Sequence, residues 1–202
     1  GWLAPFGDAP LDVVAFACTG SSYLLPPNER PEAPLVRNGA PCPVVCAAGA
    51  LEAALVSLKA SRITLVSPYP GGLTVAAASY WRARGFDIVA VHETPAAEGG
   101  HPIYSKTAAT LLTALRGALV APTDAVVVMG TGAPSLAALA IASLETSTPI
   151  LSSNLCTGWS VANTLSDRAQ PIGAWLAPEA PWRTRLASRF PTVIDRLRAC
   201  TA

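Results

Sequence analysis

Short apolar runs alternate with Ala- and Leu-rich stretches of helical spacing along most of this chain. Such alternation is typical of βα units that carry a parallel sheet. The runs are apolar at nearly every position, as expected of strands that helices cover on both faces. Strands are predicted at residues 12–17, 62–67, 87–91, 125–129 and 149–153. The sequence therefore predicts an α/β fold built around a parallel sheet.

Helices are predicted between these strands from the spacing of their leucines. Leu51, Leu55 and Leu58 share one face of a stretch that ends at Lys59, and a similar leucine face follows Ser105. The Arg and Leu spacing of residues 181–200 predicts one final amphipathic helix. The proline-rich residues 23–43 are predicted to form a long surface loop, which is either a cover for a site or a connection without a role.

Composition and charge indicate a globular protein with a small ligand. The 202 residues, 51% of them hydrophobic, are enough for one domain or two small lobes. Fourteen Lys and Arg oppose thirteen Asp and Glu, so the net charge of +1 gives no electrostatic basis for binding nucleic acid or an anionic membrane. No apolar run reaches the roughly 18 residues that cross a bilayer, and residues 1–10 lack the features of a signal peptide. A cytoplasmic protein with no nucleic-acid or membrane partner is expected.

Cysteine usage argues for a free thiol. Five cysteines are too few for a disulfide scaffold in a chain of this length, and an odd number leaves at least one unpaired. Cys42 and Cys46 have a spacing that metal ligands can have, but no second pair of Cys or His accompanies them. Neither a metal nor another cofactor is therefore predicted.

The residues that follow each strand are the candidates for a site, because ligands of open parallel sheets bind beyond the carboxyl ends of the strands. The turn CTGS at residues 18–21 follows the first strand, Tyr69 follows the second, and GTG at residues 130–132 follows the fourth. Backbone N–H groups at such a turn stabilise a thiolate, which then attacks or exchanges a proton. On these grounds alone, Cys18 is either a catalytic thiol or a small buried hydrophobic residue.

Five segments within residues 12–159 match the motifs of one enzyme superfamily in order and spacing. DVVAFACTGSSY resembles a strand and turn with a first catalytic cysteine, and CPVVCAAGALEAALVSLKASRITLVSPY resembles the stretch that leads to a site tyrosine. RARGFDIVAV is similar to the helix end and strand that follow, and AVVVMGTGAPSLAAL with TPILSSNLCTGW resembles a second cysteine turn and the segment after it. The chain thus resembles the cofactor-independent aspartate/glutamate racemase superfamily, on its maleate isomerase and arylmalonate decarboxylase side.

The resemblance implies two pseudo-symmetric, flavodoxin-like lobes, each with a parallel sheet between helices in three αβα layers. Residues 1–44 would be the remnant of a first lobe that carries Cys18, with residues 160–202 packed on it, and residues 45–159 would form the second lobe. Relatives begin with an additional strand, turn and helix, whereas seventeen residues precede Cys18 here. The first lobe is therefore expected to be N-terminally truncated in this sequence, either because that strand is absent or because the sequence is a fragment of a longer protein.

The resemblance also assigns roles to individual residues. Cys18 corresponds to the first-lobe thiol, and Gly130 stands where two-cysteine relatives have their second thiol. Cys156 lies in a different turn and is predicted to be a core or helix-start residue. The residues expected to bind a substrate carboxylate or to shape its site are Thr19, Gly20, Ser21, Tyr69, Gly130, Thr131 and Asn154.

A single active-site cysteine predicts a maleate isomerase-like enzyme that acts on a small (di)carboxylic acid. Two alternatives stay open: an arylmalonate-type decarboxylase in which Cys18 protonates an enediolate, and a non-catalytic small-acid-binding protein of the same fold. Gly130 disfavours racemisation by two opposed thiols. Relatives are often dimers, so a homodimer is expected, with Trp175 and Trp182 packed either between subunits or on their own domain.

Overall fold

A computed structural model describes residues 10–26, 35–37, 40–95 and 103–199 of the chain. Within these residues the strands are β1 (Val14–Phe16), β2 (Leu35–Arg37), β3 (Ala40–Cys42), β4 (Val44–Cys46), β5 (Arg62–Ser67), β6 (Asp87–Glu93), β7 (Ala125–Val128) and β8 (Ile150–Ser152). The helices are α1 (Thr19–Ser22), α2 (Ala47–Ser57), α3 (Gly71–Ala83), α4 (Ala108–Ala118), α5 (Ser135–Ala142), α6 (Ser153–Thr164), α7 (Ile172–Leu176), α8 (Pro181–Arg189) and α9 (Pro191–Ala199).

The main sheet has four parallel strands in the order β6-β5-β7-β8. Strand β5 has the predicted bounds, and the other predicted strands lie within three residues of the observed ones. Helices connect consecutive strands of this sheet, so the predicted parallel α/β fold is confirmed. The carboxyl ends of the strands share one edge, which is where the candidate site residues were expected.

Alternate residues of the central strands face opposite layers of helices, as the two-residue period of a strand requires. Ile63, Leu65 and Val127 pack into a core cluster with α2, α3 and α6. Val66 and Val126 point the other way and pack into a cluster with α4 and α5. Burial of each such side chain contributes about 1.5–3 kcal/mol. The main sheet is therefore the middle of three αβα layers.

A second, smaller sheet carries the strand that leads to Cys18. Strand β1 pairs with β4 in parallel, with Val14 opposite Val44 and Phe16 opposite Cys46. Strand β4 spans the predicted division between residues 44 and 45, so part of the sheet of β1 extends past residue 44; the division itself stays a prediction. Tyr23 and Val45 belong to the same core cluster as β5 and β7, which joins the smaller sheet to the main one.

The predicted loop at residues 23–43 contains two paired strands. Strands β2 and β3 are antiparallel, with Leu35 opposite Cys42 and Arg37 opposite Ala40. The sequence between them is Asn38-Gly39, which is a strong signal for a hairpin. The prediction of an irregular loop was wrong here because the surrounding prolines outweighed this signal. Residues 27–34 lie outside the described residues.

The C-terminal segment differs from expectation in its helices. The predicted single helix is two helices, α8 and α9, because Pro191 lacks a backbone N–H and cannot continue α8. These helices contact α5, and Ile172 of α7 shares a core cluster with Tyr23, so packing of residues 160–202 on the first lobe stays a prediction. Trp182 donates a hydrogen bond to the Trp175 carbonyl at 2.7 Å, and both rings pack against the core of their own chain. None of the described helices combines the length and the apolar character needed to cross a membrane.

Candidate active site

The turns after β1, β5, β7 and β8 meet at the carboxyl ends of the two parallel sheets. The first turn contributes Cys18 and Thr19, and the turn after β5 contributes Tyr69. The turns after β7 and β8 contribute Gly130 and Ser153. The contacts described below join these turns to one another.

Cys18 has an exposed thiol, which sets it apart from the other described cysteines. Its extended backbone, with φ of −140° and ψ of 95°, precedes the single turn of α1. Cys42, Cys46 and Cys156 are buried, and burial raises the pKa of Cys156 well above its usual value. The possibility that Cys18 is a small core residue is therefore excluded. A solvent-accessible thiol at the end of a strand is available to a substrate.

Tyr69 lies between the turn of Cys18 and the turn of Gly130. A Cβ added to Gly20 would lie 3.7 Å from Cε1 of Tyr69, and one added to Gly130 would lie 3.4 Å from the phenol oxygen. The Tyr69 side chain is buried, and its phenol oxygen makes no hydrogen bond to any described residue. Burial raises the pKa of Tyr69 above its usual value, the Thr19 hydroxyl opposes this shift, and electrostatic repulsion from the nearby Cys18 adds to it. The phenol thus stays protonated and is able to donate a hydrogen bond to a ligand.

Gly130 has a left-handed backbone and no room for a side chain. Its φ is +86°, a region that L-residues rarely adopt. A Cβ there would lie 2.7 Å from Cγ of Pro68 and 2.9 Å from Cδ1 of Ile103. Pro68 and Ile103 therefore fill the position from which a second thiol would reach the site.

Hydrogen bonds connect the turn of Cys18 to the turns of the main sheet. Thr19 Oγ1 donates to Ser153 Oγ at 2.9 Å, and both side chains are buried. Thr131 Oγ1 donates to the Ala17 carbonyl at 2.6 Å. These bonds link residues that are more than one hundred positions apart in sequence. They hold the residues on both sides of Cys18 against the main sheet.

Two other predicted binding residues also use their side chains locally. Asn154 Nδ2 donates to the carbonyls of Thr131 and Ala133, at 3.1 and 3.3 Å, and so shapes the turn after β7. Ser21 Oγ donates to the Cys18 carbonyl at 3.0 Å. Direct substrate binding by the side chains of Thr131, Asn154 and Ser21 stays a prediction.

Sequence reasoning did not single out Ser153, although it lies in the SSN segment used for the family resemblance. Ser152 Oγ accepts the Leu155 N–H and caps α6, a common role for serine at a helix start. The bond between Ser153 and Thr19 depends on tertiary structure, for which the sequence carries no local signal.

The described residues show neither a metal-ligand cluster nor a histidine in contact with Cys18, Tyr69 or Gly130. Over the described ranges, no cluster of three or more His, Cys, Asp and Glu side chains has the geometry to hold a metal ion. The His92 ring packs beside Gly117 of α4, and His101 lies outside the described residues.

Similar proteins of known activity include maleate isomerases. No family model matches the chain. The maleate isomerase of Pseudomonas putida is 37% identical over 87 residues, which cover 40% of this chain and 35% of the relative. The maleate isomerase of Geobacillus stearothermophilus is 36% identical over a segment of the same length. The matched segment thus spans about a third of the curated relatives.

Solved structures extend the likeness over most of the chain. A mutant of the Nocardia farcinica maleate cis-trans isomerase, which carries a covalently bound succinylcysteine intermediate, has a TM-score of 0.73 and 25% identity, and the match covers 81% of this chain and 69% of that one. A mutant of arylmalonate decarboxylase has a TM-score of 0.62 at 16% identity, over 83% of this chain and 74% of that one, and shares the fold. The resemblance inferred from the sequence motifs is confirmed: the chain is similar to maleate isomerases in sequence and in fold, and it shares the fold of arylmalonate decarboxylase.

Proposed function

We propose, on the premise that this chain shares the fold of maleate isomerases, that it is a cofactor-independent isomerase of a small dicarboxylic acid such as maleate, with Cys18 as its nucleophile. The observation that carries the proposal is the exposed Cys18 thiol beside the buried Tyr69 phenol, whose oxygen has no hydrogen-bond partner among the described residues. The covalent succinylcysteine in the Nocardia farcinica enzyme supports a cysteine adduct as the intermediate in that relative.

The reaction that fits this arrangement is addition and expulsion of one thiolate. The Cys18 sulfur forms a C–S bond to one alkene carbon of maleate, and the π-electron pair moves towards the adjacent carboxylate to give an enediolate. The former double bond is now single and rotates. Return of the electron pair re-forms the C=C bond and breaks the C–S bond, which releases the trans isomer and regenerates the thiolate. No second thiol is required at any step.

Binding of the substrate carboxylates is assigned to hydrogen-bond donors around Cys18. Tyr69 donates its phenol proton to the carboxylate that gains negative charge, and a donor placed in this way stabilises an enediolate most strongly in a site that excludes water. Thr19, Gly20 and Ser21 contribute the N–H groups of the first turn, and Gly130 and Thr131 contribute those of the turn after β7. Asn154 acts in this proposal by shaping the latter turn.

The proposal is tested by mixing the purified chain with maleate and following fumarate by proton NMR. We expect fumarate to form with wild type and with Cys42→Ala, a matched control for a buried cysteine, but not with Cys18→Ala. Full turnover by Cys18→Ala would overturn the proposed mechanism. Parallel samples with phenylmalonate separate the alternatives: carbon dioxide release without maleate turnover would indicate a decarboxylase, and inactivity on both acids would indicate a binding protein.

A homodimer is retained as a proposal on the basis of the relatives. Trp175 and Trp182 pack against their own chain and are only partly buried, so the proposal assigns the dimer to no particular surface. Light scattering after size-exclusion chromatography is the measurement, with a mass near twice 20.7 kDa as the expected result.

A further inference from the structure

The position of Cys18 depends on few backbone contacts. Strand β1 pairs with β4 only as far as Phe16 opposite Cys46, so Ala17 and Cys18 lie beyond the end of this ladder. On the other side, α1 is a single turn of four residues. Neither the ladder nor the helix therefore fixes the Ala17–Cys18 peptide by itself.

Besides the local bond from Ser21 to the Cys18 carbonyl, two hydroxyl groups that follow strands of the main sheet hold this turn. Thr131 Oγ1 donates to the Ala17 carbonyl, which belongs to the peptide immediately before Cys18. Ser153 Oγ accepts from Thr19, the residue immediately after Cys18. Ser153 and Thr19 are almost completely buried, so this bond is shielded from competing water. The two bonds hold the turn from opposite sides of the thiol.

We propose that Thr131 and Ser153 are positioning residues, which set the Cys18 sulfur relative to the Tyr69 phenol by fixing the Ala17 and Thr19 backbone. The inference rests on the proposed function and assigns the Thr131 hydroxyl to Ala17 rather than to the substrate. Because Thr19 lies next to both Cys18 and Tyr69, loss of its bond to Ser153 would disturb the nucleophile and the carboxylate donor together. If the Cys18 sulfur and the Tyr69 phenol were misplaced by about 1 Å, the rate of the reaction would fall on the order of 100-fold.

The test uses Thr131→Val and Ser153→Ala, each of which removes one hydroxyl at nearly constant volume. We expect kcat for maleate to fall about 10- to 100-fold while KM changes by less than about threefold. Thr131→Ser restores the hydroxyl and should recover most of kcat. Thr113→Val is the matched control, because Thr113 Oγ1 also donates to a backbone carbonyl, that of Ala109, but on the exposed face of α4.

A second measurement separates this inference from the proposed function. The rate of Cys18 alkylation by iodoacetamide, recorded against pH, reports the environment of the thiol whether or not maleate is a substrate. We expect Thr131→Val and Ser153→Ala to shift this pH profile, and Thr131→Ser and Thr113→Val to keep it. Unchanged profiles and unchanged kcat in both variants would overturn the inference. An increase in KM alone would also overturn it, since that result indicates substrate binding by these hydroxyls.

Discussion

The turn after β1 and the turn after β7 end parallel strands at the same edge of the molecule, yet they differ in what they offer a substrate. The first carries the exposed thiol of Cys18. The second carries Gly130, whose left-handed backbone is enclosed by Pro68 and Ile103. Tyr69 lies between them, near the positions that a Cβ would take at Gly20 and at Gly130. Among the described residues, the turn after β1 thus presents a thiol, whereas the turn after β7 is lined by an apolar wall of Pro68 and Ile103.

The largest effect is expected when the Cys and the Gly of the two turns are exchanged. In the double variant Cys18→Gly with Gly130→Cys, the thiol would have to occupy space that Pro68 and Ile103 fill. We expect turnover of maleate to fall on the order of 1000-fold or more, as it does when a nucleophile is removed. The single variant Cys18→Gly should lose as much. Turnover by the double variant within tenfold of wild type would mean that the two turns are equivalent.

The enclosure of Gly130 is measurable as stability. Gly85 has the same φ of +86°, but a Cβ added there would meet no atom within 4 Å. A substitution at either glycine therefore strains the backbone, and only the one at Gly130 also creates a steric clash. We expect Gly85→Ala to lower the free energy of unfolding by about 1–2 kcal/mol through backbone strain. Gly130→Ala should cost about 2–5 kcal/mol, since overpacking adds about 1–3 kcal/mol. Urea denaturation measures the free energy of unfolding of both variants. Equal decreases would mean that Pro68 and Ile103 move aside at no cost in free energy.

These two turns also mark how far sequence reasoning reaches. The strands were predictable because buried parallel strands are apolar throughout, and the site residues followed because strand ends share one edge. Cys18, Tyr69 and Gly130 were thus placed in one region from sequence motifs. The wall was not predictable: Ile103 reaches Gly130 from a distant segment, and nothing in the local sequence near either residue indicates this contact.

The errors have equally physical causes. The hairpin of β2 and β3 was missed because prolines dominate its surroundings, and α8 and α9 were merged because Arg and Leu spacing continues past Pro191. The contact of α8 and α9 with α5 could not be predicted either. An apolar helix face indicates that another element covers it, but it does not identify that element.

Tyr69, which lies between the two turns, should separate activity from stability. Tyr69→Phe removes a phenol oxygen that has no hydrogen-bond partner among the described residues, so the fold loses no bond. We expect the free energy of unfolding to stay the same or to rise by about 1 kcal/mol. Turnover of maleate should fall on the order of 100-fold, because one donor to the enediolate is gone. A variant that unfolds more easily while keeping its rate would show that Tyr69 is structural.

The smallest expected effect concerns Cys156, the described thiol that follows Gly130 in the chain. Burial raises the pKa of Cys156 in the folded protein, so the thiol stays protonated there and cannot replace a nucleophile at Gly130. An unfolded cysteine ionises near pH 8.5, so the stability that the protonated state contributes is complete below about pH 8.5 and is lost as pH rises above it. The free energy of unfolding of wild type should decrease there by up to about 1.4 kcal/mol per pH unit. Cys156→Ala should lack this decrease until tyrosines such as Tyr69, whose pKa burial also raises, begin to contribute above about pH 10. Identical slopes between pH 8.5 and 10 in the two proteins would mean that Cys156 ionises as readily in the folded state as in the unfolded one, and the second lobe would then have a reactive thiol after all.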